Sequence, residues 1–177
     1  NLRTALFGYL IACSQGGKFI LRIEDTDQKR ETKGAVEKLL QVTSWAGINF
    51  DEGPQQGGEY GPYIQTQRLK IYQEHCEKLL ADNKAYRCFC SATRLEAMRQ
   101  EQQKNQQAPR YDRRCRDLSE AEIKEHLDNH DPYVIRQKMP LEGEVLVHDE
   151  LRGEIKFAAT DLEDHVLIKS DGIPTYQ

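Results

Sequence analysis

Apolar residues at Leu2, Ala5, Leu6, Tyr9, Leu10 and Cys13 recur every three or four positions, which predicts an amphipathic helix from the start of the chain. Gly16-Gly17 ends it, as glycine commonly does. The short apolar run Phe19-Ile20-Leu21-Arg22-Ile23, with its β-branched and aromatic members, predicts a buried strand. An acidic cluster, Glu24-Asp25-Thr26-Asp27, follows at its end. A second helix is predicted over 33–46, with Val36, Leu39 and Leu40 facing inward and Gly47 closing it. Helix, buried strand, helix predicts an α/β layer. Sheets of that kind bind ligands at the carboxyl ends of their strands, where the acidic cluster lies.

The pattern then changes. Residues 51–63, rich in Gly, Pro and Gln, read as a loop. A helix over 67–82 follows, with Ile71, Tyr72, His75, Cys76, Leu79 and Leu80 on its apolar face. His75 there reads as a core histidine. Thr93-Arg94-Leu95-Glu96 has the form of a capping box and predicts a polar helix that fades over 102–107. Ser119-Glu120-Ala121-Glu122 predicts another, opening a short helix to about Asn129. From Tyr133 the apolar period becomes two, predicting strands near 133–138, 143–148, 154–159 and 165–169, with turns at 150–153 and 170–172. This second region is α+β in order, and no internal repeat is visible.

Composition narrows the classes. The chain has 177 residues, 38% hydrophobic and 31% charged, as in a soluble globular protein. No run is long enough to span a membrane and no signal peptide is visible. The chain opens in helix without Met and stops at Gln177, so both ends read as cuts. The net charge of −4 argues against nonspecific nucleic-acid binding. Locally, however, Arg110, Arg113, Arg114 and Arg116 lie within seven residues, either a solvated loop or a phosphate contact. The five cysteines, Cys13, Cys76, Cys88, Cys90 and Cys115, are an odd set in a chain with no export signal. Reduced thiols or a metal site fit them better than a disulfide scaffold. The Cys88-Phe89-Cys90 pair with Cys115 is tighter than the usual Cys-x₂₋₄-Cys zinc pattern. In Glu24-Asp25-Thr26-Asp27, three carboxylates repel unless cations or donors arrive. A site for an ammonium group or ribose hydroxyls would supply them; an acid-rich helix N-terminus is the plainer alternative.

The chain resembles the bacterial-type glutamyl-tRNA synthetase family along essentially its whole length. Asn1-Leu2-Arg3-Thr4 matches the stretch that begins at the fourth position of the family's His-Ile-Gly-His-type signature. The stretch from Gly16 to Asp27 matches the family's acidic motif almost letter for letter. Asp51-Glu52-Gly53-Pro54 and Gly61-Pro62-Tyr63 match its next loop, and Pro109-Arg110-Tyr111-Asp112 with Cys115-Arg116 match its inserted domain. Lys169-Ser170-Asp171-Gly172-Ile173-Pro174-Thr175-Tyr176 matches the return to the catalytic fold. The resemblance implies a Rossmann-type class I catalytic domain split by an α+β insertion that grips the tRNA acceptor stem. By analogy 1–65 is the first catalytic half, 66–170 the insertion and 171–177 the return.

The implied activity joins L-glutamate to the terminal adenosine of tRNA(Glu), or also tRNA(Gln), through a glutamyl-adenylate made from ATP with Mg²⁺. Carried over by matching position, Glu24 takes the substrate's ammonium group and Tyr176 lines the same pocket. Asp27 sits beside the terminal adenosine, and Arg3 and Thr4 lie near ATP, where Arg3 could instead brace Glu24 or Asp25. Arg110, Arg113, Arg114 and Arg116 would meet tRNA phosphates. The cysteines match the zinc-bearing branch of the family, implying a structural Zn²⁺ on Cys88, Cys90 and Cys115. That branch ends Cys-x-His, whereas Asp117 stands here, so the fourth ligand is Asp117 or Tyr111. No catalytic side chain is required. The His-Ile-Gly segment and the lysine-rich loop are expected outside residues 1–177, so this piece alone is expected to be inactive. Gln177 also departs from the usual His or Asn. Three rivals share features: the synthetase that glutamylates queuosine on tRNA(Asp), with a shorter insertion; glutaminyl-tRNA synthetase, with Phe-Asp-Asp-Thr-Asn; and a zinc-stabilised RNA-binding module. A monomer in a bacterial cytoplasm, or in an organelle of bacterial descent, is implied.

Overall fold

The computed structural model describes residues 2–26 and 34–175, so Asp27 and Tyr176 lie outside the described residues. The chain divides into two compact units, one running to Tyr72 and the other Gln73–Thr175.

In the first unit, α1 (Leu2–Ser14) ends where Gly16 turns left-handed at φ 63°, letting the Gly17 amide bond Ala12 O at 2.8 Å. Its apolar stripe forms, yet Leu2, Leu6, Phe7, Leu10 and Ile11 are exposed within this unit. Periodicity says which face can be covered, not that the unit covers it. The strand expected at 19–23 is reduced to two isolated parallel bridges, Ile20 with Glu52 and Ile23 with Ile64. Phe19 anchors the segment, stacked on Phe50 at 5.2 Å and edge-on to Tyr9 at 5.8 Å. Helix α2 (Ala35–Trp45) follows, with Gly34 at its N-cap. Thr43 is buried on it, its hydroxyl turned back to Leu39 O and Leu40 O at 3.0 Å. Leu39, expected inward, is exposed. A 3-10 turn, Gln65–Arg68, leads into α3 (Leu69–Ala81), where only Cys76 is buried; His75 is exposed, not the core histidine its spacing suggested.

The second unit is built on strands β1 (Ala85–Cys88), β2 (Val134–Gln137) and β5 (Val166–Ile168), antiparallel in the order β1-β2-β5. Strands β3 (Glu144–Asp149) and β4 (Gly153–Ala158) form a separate hairpin. All four predicted strands in 133–169 are present within two residues at their ends. Helix α4 (Ala92–Lys104) is capped by Ser91, whose hydroxyl accepts the Arg94 amide at 3.2 Å, so the cap lies two residues before the predicted Thr93. Helix α5 (Glu120–Asp128) carries the predicted Ser119–Glu122 capping box with both halves made. The core of this unit is Tyr86, Cys88, Tyr111 and Cys115, with Cys90, Leu95, Met98, Leu118 and Val134 against it. No described helix is long and apolar enough to cross a membrane.

Candidate functional site

Glu24 and Asp25 stand just beyond Ile23, whose amide donates to Tyr63 O at 2.8 Å and whose carbonyl accepts the Gln65 amide at 2.9 Å. Glu24 Oε1 accepts Arg22 at 2.7 Å, and its side chain keeps 28% of its surface open. Asp25 is differently employed: its two oxygens accept the Thr66 amide at 2.9 Å and the Thr66 hydroxyl. The loop beside them is tied down by Glu52, only 3% exposed, which accepts the Tyr63 hydroxyl and, at 3.0 Å, the Lys18 ammonium. The Tyr63 hydrogen bond, then Lys18, hold the Glu52 carboxyl below the usual range. Gly58 is required there, at φ 138°, because a Cβ would stand 2.4 Å from both Glu52 Oε2 and Tyr63 Oη. Arg3 and Thr4 lie exposed in the first turn of α1, and among the described residues Arg3 braces neither Glu24 nor Asp25.

In the second unit the end of β1 brings Cys88 and Cys90 to Cys115, with their sulfur atoms within 4.8 Å of one another. Cys90 Sγ and Cys115 Sγ are 3.6 Å apart. The Tyr111 hydroxyl enters this group 3.2 Å from Cys88 Sγ and 3.4 Å from Cys90 Sγ, and accepts the Cys115 amide at 3.1 Å. Asp117, the other candidate fourth ligand, points away: its side chain is 80% exposed and faces Lys138 at 3.7 Å. A tetrahedral zinc with bonds of about 2.3 Å to sulfur places sulfurs about 3.8 Å apart, close to the 3.6 Å between Cys90 and Cys115. The hydrogen bond with Cys115, aided by Tyr111 and opposed by burial, pulls the Cys88 thiol down to about 4. Cys115 is pushed up by the same contact and by burial, and burial with the three sulfurs raises Tyr111. A thiolate already favoured in a pocket of donors is what a metal ion would meet there.

The arginines divide sharply. Arg116, with 9% of its side chain exposed, donates to both oxygens of Asp164 at 3.0 and 2.8 Å and to Met139 O at 2.7 Å. Arg113 donates to Leu162 O at 2.8 Å and lies 3.5 Å from Asp164. Arg110 is exposed but donates to Thr160 O and to Asp161 O. Of these four, Arg114 alone has an exposed guanidinium with no partner among the described residues. Asp164 was invisible to sequence reasoning: it is fully buried, and it also takes the Tyr86 hydroxyl at 2.8 Å and the Met139 amide at 3.1 Å. Its partners are 25 to 78 residues away, so no local pattern announces it. Arg136 completes the network, donating to Asp164 O at 2.8 Å and lying over the Tyr111 ring at 3.9 Å.

Residues 1–177 match the family of class I tRNA synthetases (E and Q), catalytic domain. A glutamate–tRNA ligase of Dehalococcoides mccartyi is 48% identical over 176 residues, covering 99% of this chain and 35% of that protein. One of Clostridium novyi is 49% identical over the same length and shares. A crystal structure of a glutamate tRNA ligase from Elizabethkingia meningosepticum in complex with its amino acid superimposes with a TM-score of 0.90 at 41% identity, over 99% of this chain and 36% of that one. The glutamate-tRNA synthetase of Elizabethkingia anophelis gives 0.90 and 41%, over 99% and 37%. The chain thus spans about a third of the length of the relatives it matches.

Proposed function

Because the chain belongs to the class I tRNA synthetases (E and Q), catalytic-domain family, with its Rossmann-like fold, we propose that it is the part of a glutamate–tRNA ligase that holds the amino group of glutamate and approaches the tRNA acceptor stem. The observation that carries this is the open Glu24 carboxylate at the end of the Phe19–Ile23 segment. Glu24 exchanges its Arg22 contact for, or shares it with, the substrate ammonium, a charge-assisted bond that sets the pose. The glutamate carboxylate then attacks the α-phosphate of ATP-Mg²⁺, releasing pyrophosphate. A ribose hydroxyl of the terminal tRNA adenosine next takes the glutamyl group and releases AMP. Positioning supplies the rate, so no nucleophilic side chain is needed. Tyr176 and Asp27, assigned to the amino-acid pocket and the terminal adenosine, and Arg3 and Thr4, near ATP, complete the proposed site.

Residues 1–65 are assigned to the first half of the catalytic domain, 66–170 to the acceptor-stem insertion and 171–177 to the return. The division into two compact units supports an insertion, with its break inside α3. Zn²⁺ on Cys88, Cys90, Cys115 and Tyr111 would have a structural role, tying the end of β1 to the arginine loop. Within that loop Arg114, and Arg110 at the surface, are the phosphate contacts, while Arg113 and Arg116 hold the loop through Asp164. The same reading assigns the activity to a bacterial cytoplasm, or to an organelle of bacterial descent. The test is charging of unfractionated tRNA with labelled glutamate by the protein at its relatives' full length. Label on the 3′ end of tRNA(Glu) is the expected result. Label confined to queuosine of tRNA(Asp), or binding of RNA with no charging, would overturn it.

A further inference from the structure

We propose that Asp25 is a positioning residue, fixing the Glu24 carboxylate for glutamate by capping the turn at Thr66 and not by touching substrate. The inference rests on the reading of Glu24 given above. Three carboxylates in a four-residue motif invite the view that all face a ligand. The geometry gives Glu24 and Asp25 different roles. The 3-10 turn Gln65–Arg68 begins at Ile64, which has no side chain able to cap it. The Ile23 carbonyl takes the Gln65 amide, and the Thr66 amide next to it needs an acceptor. Asp25, from 41 residues earlier, supplies one: both its oxygens are engaged by Thr66, one by the amide and one by the hydroxyl. An anion is also favoured at a helical N-terminus.

The consequence falls on the residue between. On one side of Glu24, Ile23 is bonded through both its amide and its carbonyl to Tyr63 and Gln65. On the other, Asp25 is clamped to Thr66. Tyr63 is itself held, because its hydroxyl donates to buried Glu52. The Glu52 carbonyl in turn accepts the Leu21 amide at 3.0 Å. The backbone of Glu24 is therefore pinned at both flanks while its carboxylate stays reachable. Misplacing such a group by an ångström is enough to weaken a bound pose.

The test uses steady-state charging by the protein at its relatives' full length, with KM measured separately for glutamate and ATP. Asp25→Ala is expected to raise the glutamate KM roughly tenfold and to leave the ATP KM within about twofold. Asp25→Asn is expected to restore most of the loss, since its amide can accept from the Thr66 N–H and donate to the hydroxyl. If Asp25→Ala fails to fold, Thr66→Val, which removes only the hydroxyl bond, is expected to raise the glutamate KM about threefold. Three results overturn the proposal: an unchanged glutamate KM in the folded variants, equal rises for glutamate and ATP, or an Asn variant as impaired as Ala. The last would mean that the charge itself meets the ammonium. Glu24→Ala runs alongside. No effect there sinks the Glu24 reading itself, whereas an effect there with none at Asp25 sinks only this inference.

Discussion

Asp164 shows most plainly what a single residue does in this molecule. A fully buried carboxylate is costly unless every lone pair is met, and Tyr86, Arg116 and the Met139 amide meet them. Asp164→Ala leaves Arg116 buried without its anion, and is expected to cost about 3–5 kcal/mol, read from denaturant midpoints. A loss below about 1 kcal/mol, the range of surface pairs, would show that the network is solvated. Glu52 gives a pH signature. Its carboxyl is depressed by Tyr63 and Lys18, so its stabilisation is fully present above the unfolded value near 4.5 and is lost as pH falls through the lower folded value. Tyr63→Phe is expected to lessen this acid-range loss and to leave the dependence at neutral pH unchanged. Identical acid limbs in the two proteins would contradict it. Asp164 did not stand out in the sequence, because it acts through contacts far along the chain, and Glu52 stood there only as a member of the Asp51–Pro54 motif, with no role of its own. Glu24 did stand out, since its chemistry lies within a four-residue motif.

At the scale of elements, what is local was legible. Ser119 and Glu122 are three residues apart, and their capping box forms as read. Ser119→Ala is expected to cost about 1 kcal/mol, whereas Thr93→Ala, inside α4 and not at its cap, is expected to cost less. Equal losses in the two would put the cap of α4 back at Thr93. Four of the five strands of the second unit, β2 to β5, were legible because alternation survives where sheet faces differ, whereas the four-residue β1 was not predicted. The segment 19–23 was read as a full strand because it is apolar and short, yet it makes only isolated bridges. His75 and Leu39 were misplaced for a related reason: helical spacing defines a face without stating what lies against it.

For the molecule as a whole, the thiol knot and the arginine loop belong to one network, since Arg136 stacks on Tyr111 and also holds the Asp164 carbonyl. Chelation is therefore expected to lower the melting temperature of the zinc-loaded protein, and Cys90→Ser to lower it and to reduce the zinc content. Asp117→Ala, away from the sulfurs, is expected to change neither. Metal content unaltered in Cys90→Ser would remove the zinc assignment. The class of fold and the family were legible because five motifs stand in order along the chain. The division of labour among the arginines was not, since four similar side chains differ only in which distant carbonyls and carboxylates reach them. Glu24 is the residue on which the proposed recognition of glutamate turns. The decisive measurement is the glutamate KM for tRNA charging by Glu24→Ala beside the unaltered protein at its relatives' full length. A rise of at least about tenfold with the ATP KM nearly unchanged is the predicted result. An unaltered glutamate KM would contradict the central claim.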